Sequence, residues 1–227
     1  VTAASQGLEV AVVIPVRDGA AYLAEAIESV LSQDLPPREV VVVDDGSTDR
    51  SAELAEGAGV RVLREPPRGA GAARNRGVEA TASPWLAFLD ADDRWTPGKL
   101  SRQAAALAAS PGAVASIGRI RQFFSPETGR ADAPVPEVLW APSPVTLVVR
   151  REAFLATGGF PTDLQASEVA AWWVRFEATR PEVVRCEDVL AERRLHARNT
   201  GALRAGTARA EFLRLAKAAL DARRGDR

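Results

Sequence analysis

Residues 39–49 read EVVVVDDGSTD: four valines in a row, then two carboxylates, then a turn. A β-branched run with no polar alternation has no wet face. It suits a strand buried on both sides, as in a parallel sheet. Glu9 to Val16 (EVAVVIPV) has the same character. Between them, residues 20–32 place Tyr22, Leu23, Ile27, Val30 and Leu31 at helical spacing, and Pro36-Pro37 stops that helix. A short helix is expected from the DDGSTD turn to about Glu56, then a strand over 60–63 and a helix over 69–79 entered through glycines. A strand over 85–89 (WLAFL) and a helix over 97–109, with proline in its first turn, complete this half. The strand–helix rhythm predicts a parallel sheet with right-handed crossovers.

The second half is less regular. Strands are expected over 114–124 and 145–150, a helix over 167–179, strands near Val183 and over 189–195, and an Ala/Arg-rich helix from about Ala202. Residues 125–144 carry five prolines, which marks a functional or disordered loop. No stretch has the quality of a domain linker, so the 227 residues read as one α/β domain.

Composition narrows the function. Lys plus Arg number 29 against 30 Asp plus Glu, a net charge of -1 that gives no bulk case for binding nucleic acid or an anionic membrane. The one cysteine, Cys186, excludes an internal disulfide and a Cys-based metal cage and reads as a small buried residue. No apolar run reaches the roughly 18 residues of a membrane span. There is no methionine, so Val1 is not expected to be a natural start. The C-terminal arginines are read as the solvated face of a helix docked on the domain rather than as a membrane-binding face.

In open α/β sheets ligands sit beyond the carboxyl ends of the strands. Three such ends are polar here: Arg17-Asp18 after the first strand, Asp44-Asp45 after the second, and Asp90-Ala91-Asp92-Asp93 after the fourth. Converging carboxylates repel and raise one another's pKa, and a divalent cation with phosphate ligands relieves that repulsion. Any one of these aspartates also suits a helix cap. The stretch Gly69 to Gly77 (GAGAARNRG) offers close backbone approach to a ligand, with Arg74 or Arg76 for phosphate or base, or simply an exposed helix face.

Taken in order, VAVVIPVRDGAAYLAEAIESVLSQ, EVVVVDDGSTDRS, GAGAARNRG and WLAFLDADDRWTPGKL resemble a family 2 glycosyltransferase over residues 9–100, with later echoes at Gly158-Gly159-Phe160 and Arg194-Leu195-His196. The resemblance implies a GT-A fold: a Rossmann-like, mostly parallel sheet flanked by helices, with a less regular C-terminal acceptor side. Residues 9–110 would form the nucleotide-sugar half, 111–200 the acceptor half, and 201–227 a C-terminal helix. It also implies a nucleotide-sugar donor (UDP-linked), Mn²⁺ or Mg²⁺, and transfer with inversion to an acceptor hydroxyl of a glycan, lipid-linked carrier, small molecule or peptide. A cytoplasmic location is expected, and a peripheral one on the inner face of a membrane is compatible with it.

By position, Pro15, Val16, Asp45 and Arg74 would frame the base. Asp90, with Ala91 beside it, would face the ribose, and Asp92 would bind the metal. His196, the sole histidine, would be a second metal ligand and Arg194 a phosphate contact. One position departs from the family pattern. A general base is usually supplied by a Glu-Asp pair opening a tryptophan-rich helix, and here that pair is Glu168-Val169. Glu168 serves from one position away, Asp163 folds in from the preceding loop, or transfer is lost and a nucleotide-binding protein remains. Trp172 and Trp173 offer an acceptor platform, but lie about 100° apart on a helix, so one belongs to the core. A nucleotidyltransferase is a weaker alternative, because the loop after the first strand lacks a Gly- and Arg/Lys-rich run.

Overall fold

In the computed structural model, which describes residues 8–130, 138–140, 143–164, 166–197, 199 and 211, every residue of β1 (Val10–Val16) is buried. Its side chains alternate between two cores. Val10, Val12, Ile14 and Val16 join Leu23, Ala26, Ile27 and Val30 of α1 (Leu23–Leu31). Ala11 and Val13 join Ala73 and Val78 of α3 (Ala70–Glu79) on the opposite face. A strand with helices on both sides needs no polar face, which is why its sequence is an unbroken apolar run.

The remaining elements are β2 (Glu39–Asp45), α2 (Ser51–Gly57), β3 (Arg61–Glu65), β4 (Trp85–Phe88), β5 (Arg94–Trp95), α4 (Lys99–Ala109), β6 (Ala115–Phe124), β7 (Val148–Arg150), α5 (Arg151–Ala156), α6 (Glu168–Ala178) and β8 (Val183–Leu195). They build one eight-stranded sheet in the order β3-β2-β1-β4-β7-β6-β8-β5. β3, β2, β1 and β4 run parallel, β7 is antiparallel to β4 and β6, and β6 pairs with β8 in parallel. The connections from β1 lead outward to β2, whereas β4 lies on its other side, so the order reverses between β1 and β4. A crevice at such a switch point is where an open α/β sheet takes its ligand.

Two close approaches fix the site's frame. A Cβ on Gly77 would lie 2.3 Å from Val13 Cγ1, so α3 rests on β1 at a separation only glycine permits. The second is the chain's route after β4. It leaves the sheet's centre and, over residues 89–93, reaches β5 at the far edge, paired with β8 through Arg94↔Glu192. Four strand spacings of a flat sheet are about 19 Å, near the limit of this segment even if extended. The segment turns instead, the Asp93 N–H bonding the Asp90 carbonyl at 3.0 Å, so the sheet curls and Asp90 to Asp93 lie across its rim.

Several boundaries differ from the sequence reading. β5 and α5 are not legible there, since both are too short for a periodicity to register. Helix α4 begins at Lys99 after a left-handed Gly98 (φ 75°), so Pro97 stands ahead of the helix rather than in its first turn. Residues 183–195 form one strand, not two. Register jumps from Gly118↔Cys186 to Arg119↔Val189, and the polar Glu187-Asp188 that looked like a break is a bulge. The Pro-rich loop contains a 3-10 turn at each end (Pro126–Thr128 and Pro144–Thr146), and Leu139 bridges to Ile120; its residues 131–137 and 141–142 lie outside the described residues. So does the Ala/Arg-rich C-terminal helix, except for Glu211, whose carboxylate accepts the Ala166 N–H at 3.2 Å. Among the described residues, no helix is long and apolar enough to cross a membrane.

Candidate functional site

The loops that leave β1 and β2 are laced together. Asp18, in the left-handed region at φ 52°, accepts hydrogen bonds from the backbone N–H (2.7 Å) and hydroxyl (3.0 Å) of Thr48. Its own N–H donates to Ser47 Oγ, and the Gly19 and Ala20 N–H groups donate to Ser51 and Asp49. The Thr48 bonds, backbone first, hold the Asp18 carboxyl below the usual range. Asp44 accepts the Ser47 N–H at 2.8 Å, a turn-capping role. Pro15 and Val16, the last residues of β1, pair with Val43 and Asp44 and have buried side chains, so they face this loop system through their backbone.

Asp45 is buried at the entrance to α3. One carboxylate oxygen accepts the Arg68 N–H at 2.6 Å, the other the Gly69 N–H at 2.9 Å. It thus fixes how the chain enters α3, through Gly69 at φ 95°. Farther along α3, Asn75 ties the helix to the opposite half. Its amide donates to the Phe160 carbonyl at 2.8 Å and its oxygen accepts the Phe160 N–H at 3.0 Å. A Cβ on Gly71 would sit 2.7 Å from the Pro161 carbonyl oxygen, so this glycine admits the same connection. Gly71 and Gly77 serve approach between protein segments, and Arg76 pairs with Glu65 at 2.6 Å.

Arg74, only 4% exposed, spans the two halves of the site. Its Nη2 donates to Asp90 at 2.5 Å and its Nη1 to Glu168 at 2.9 Å, while the guanidinium lies 5.5 Å from the Phe160 ring centre. One cation therefore joins the carboxylate at the end of β4 to the carboxylate at the start of α6. Only Oε1 of Glu168 takes part in this pair, leaving Oε2 outside it. Val169 is turned toward the apolar core behind it. Trp172 is 1% exposed in that core, and Trp173 is half-buried against Trp172 and Phe176.

At the other side of the rim, Asp92 Oδ2 lies 3.0 Å from His196 Nε2 and accepts the Asn199 amide at 3.3 Å. Arg194 underpins them. Its Nε donates to the Asp92 carbonyl at 3.1 Å, its Nη2 to Glu25, and its guanidinium lies between the rings of Tyr22 (4.7 Å) and Phe123 (4.6 Å). Asp93 does not cap α4. It is buried, accepts the Arg194 backbone N–H at 2.9 Å, and has its pKa raised by burial and by the charges of Asp92 and Asp90.

These contacts revise the idea that a cation is needed to reconcile the whole acidic rim. Asp18, Asp44 and Asp45 are satisfied by backbone N–H groups, and Asp90 by Arg74. Asp92 is the member whose partners are an imidazole and an amide. Carboxylate and imidazole are both ligands for Mn²⁺, and carboxylate for Mg²⁺. In this structure the two side chains meet in a direct contact of 3.0 Å, and both are donor types that such an ion could take. Among the described residues no group of three or more His, Cys, Asp or Glu could hold a metal. Two protein ligands supplemented by phosphate oxygens is the usual arrangement for such ions.

Of the residues singled out from sequence, Arg74, Asp90 and Glu168 form one connected cluster, and Asp92, Arg194 and His196 form another joined to it through the Asp90-Ala91-Asp92 segment. Sequence reading missed Asn199, Glu25 and Tyr22. Asn199 had a local signal, being three residues after His196 in a turn where its Oδ1 accepts the His196 N–H at 2.6 Å. Glu25 had none, because its partner Arg194 is 169 residues away.

The sheet order and its flanking helices are those of the GT-A class of α/β fold. Solved structures share it: S. aureus TarS in complex with UDP-GlcNAc (TM-score 0.74, 19% identity, 86% of this chain and 60% of that one). The mannosyltransferase PcManGT of Pyrobaculum calidifontis, in complex with GDP-Man and Mn²⁺, also matches (TM-score 0.66, 21% identity, 88% and 61%). Residues 11–154 match the family model for glycosyl transferase family 2, and the chain belongs to that family. Curated relatives include an uncharacterized glycosyltransferase of Nostoc sp., 42% identical over 101 residues (42% of this chain, 31% of that protein). Another is the succinoglycan biosynthesis protein ExoU of Rhizobium meliloti, 41% identical over 100 residues (41% and 29%). The matched region thus spans under a third of these relatives' length.

Proposed function

We propose that the protein transfers a sugar, with inversion, from a nucleoside-diphosphate sugar, UDP-linked, to an acceptor hydroxyl, with Mn²⁺ or Mg²⁺ as cofactor. The observation that carries this reading is the placement of Asp92 and His196, 3.0 Å apart, next to the Asp90–Arg74–Glu168 cluster at the switch point. In this reading residues 9–110 supply the donor half and 111–200 the acceptor half. Pro15, Val16 and Asp45 bound the base, Asp90 faces the ribose, and Asp92 and His196 hold the ion. The ion, when bound, acts as a Lewis acid on the departing diphosphate. Arg194 fixes the Asp92 backbone and adds positive charge near the diphosphate. Glu168 takes the acceptor's proton in this reading, on Oε2, and its pairing with Arg74 through Oε1 supports the assignment. UDP is chosen over other nucleotides because TarS, the better structural match of the two, carries a UDP-sugar.

A second reading, a donor-binding protein without transfer, draws on Val169, which occupies the usual base position and faces the core. Release of nucleoside diphosphate from UDP-sugars and GDP-sugars, with Mn²⁺ or with chelator, decides between them. Metal-dependent turnover of a UDP-sugar is expected; tight binding without turnover against a panel of acceptors favours the second reading.

A further inference from the structure

We propose that Tyr22 is a positioning residue for the ion-binding corner. Tyr22 precedes α1, 70 residues before Asp92 and 174 before His196, and is the only tyrosine in the chain. Three contacts converge on it. Its ring centre lies 4.8 Å from that of His196. The Arg194 guanidinium sits over the same ring at 4.7 Å. Its hydroxyl donates to Glu127, in the turn that opens the Pro-rich loop, and Ser125 Oγ bonds the other oxygen of that carboxylate.

Both residues packed on Tyr22 act on Asp92, His196 through Oδ2 and Arg194 through the backbone carbonyl. Aromatic and cation–π contacts of this kind fix ring and guanidinium orientation without chemistry of their own. Removing a hydrogen-bonded neighbour that orients an imidazole ligand typically costs ten- to a hundredfold in affinity for the ion. A neighbour that holds the ring by contact is expected to reach the lower end of that range. Removing the ring should therefore loosen His196 and the Asp92 backbone together. Removing the hydroxyl alone should leave both ring contacts in place and release only the turn at Glu127.

This inference rests on the donor reading given above. Mn²⁺ titrations of the protein with saturating UDP, followed by the electron paramagnetic resonance of free Mn²⁺, separate the two. Tyr22→Phe is expected to bind Mn²⁺ within about twofold of the unmodified protein, and Tyr22→Leu about tenfold more weakly. Equal affinity in Tyr22→Leu overturns the role of Tyr22 and leaves the donor reading standing. No Mn²⁺ binding by the unmodified protein overturns the donor reading and this inference with it. A second measurement needs no variant. With one tyrosine and one histidine in the chain, a Tyr–His ring-proton cross-relaxation peak in selectively labelled protein with Mg²⁺ and UDP has a single assignment. Its presence is expected, and its absence overturns the proposal.

Discussion

Arg74 carries two ion pairs from a side chain that is 4% exposed, and one of its partners, Glu168, is itself nearly buried. Breaking a buried pair by removing one member leaves an uncompensated charge and costs on the order of 3 kcal/mol. Arg74→Met should therefore lower stability in urea unfolding by roughly that amount, less whatever Asp90, at 34% side-chain exposure, regains from water. Glu168→Gln is a gentler change, because an amide oxygen still accepts from Arg74. If Glu168 takes the acceptor proton, kcat should fall about 10²–10⁴-fold while UDP affinity stays within about threefold. A kcat within a few-fold of the unmodified protein would remove Glu168 from the chemistry and leave it as Arg74's anchor. At this scale the sequence marked Arg74, Asp90 and Glu168 singly. Their union was not legible, since it joins residues up to 94 positions apart.

Elements show a similar division. The apolar run of β1 announced a strand buried on both faces, and it is one. That α3 lies directly on β1 was less visible, because Gly77 reads equally well as a ligand-approach glycine. Gly77→Ala should destabilise by about 1–3 kcal/mol through overpacking against Val13, seen as a melting temperature lower by several degrees. Helix α4 hides a second element-scale feature. Lys99 is fully buried, donates to Gln103 at 2.7 Å and lies 4.0 Å from the Trp95 ring centre. Burial pulls its pKa from 10.5 to about 7. Between those values the unfolded chain holds a proton that the folded chain has released, so this group's contribution to stability rises with pH. Lys99→Met should be the more stable protein at pH 7, by on the order of 4 kcal/mol before the lost Trp95 and Gln103 contacts are subtracted. The difference should narrow as the pH approaches 10. A difference that stays constant across that range would mean Lys99 is not released from its proton on folding.

Across the whole molecule, the parallel half was readable because each strand and helix has its own periodicity. The mixed half was readable only in part: β6, β7, α6 and β8 fall close to the expected segments, but a two-residue strand, a bulge at Glu187-Asp188 and a proline-rich loop carry little local signal. Yet the site depends on that half. The curl that brings β8 beside the end of β4 is what sets His196 and Asn199 against Asp92. The acidic rim therefore comes down to one corner formed by both halves, the proposed cation site, with most of its carboxylates serving the backbone instead. Thermal melting of the protein with UDP and Mn²⁺, alongside Asp92→Ala, measures that corner directly. Ligand at a hundred times its Kd stabilises by about 2.7 kcal/mol. The unmodified protein should melt several degrees higher with UDP and Mn²⁺ than without, and Asp92→Ala should show no such rise. No shift with any nucleoside diphosphate and metal, or an undiminished shift in Asp92→Ala, would contradict it.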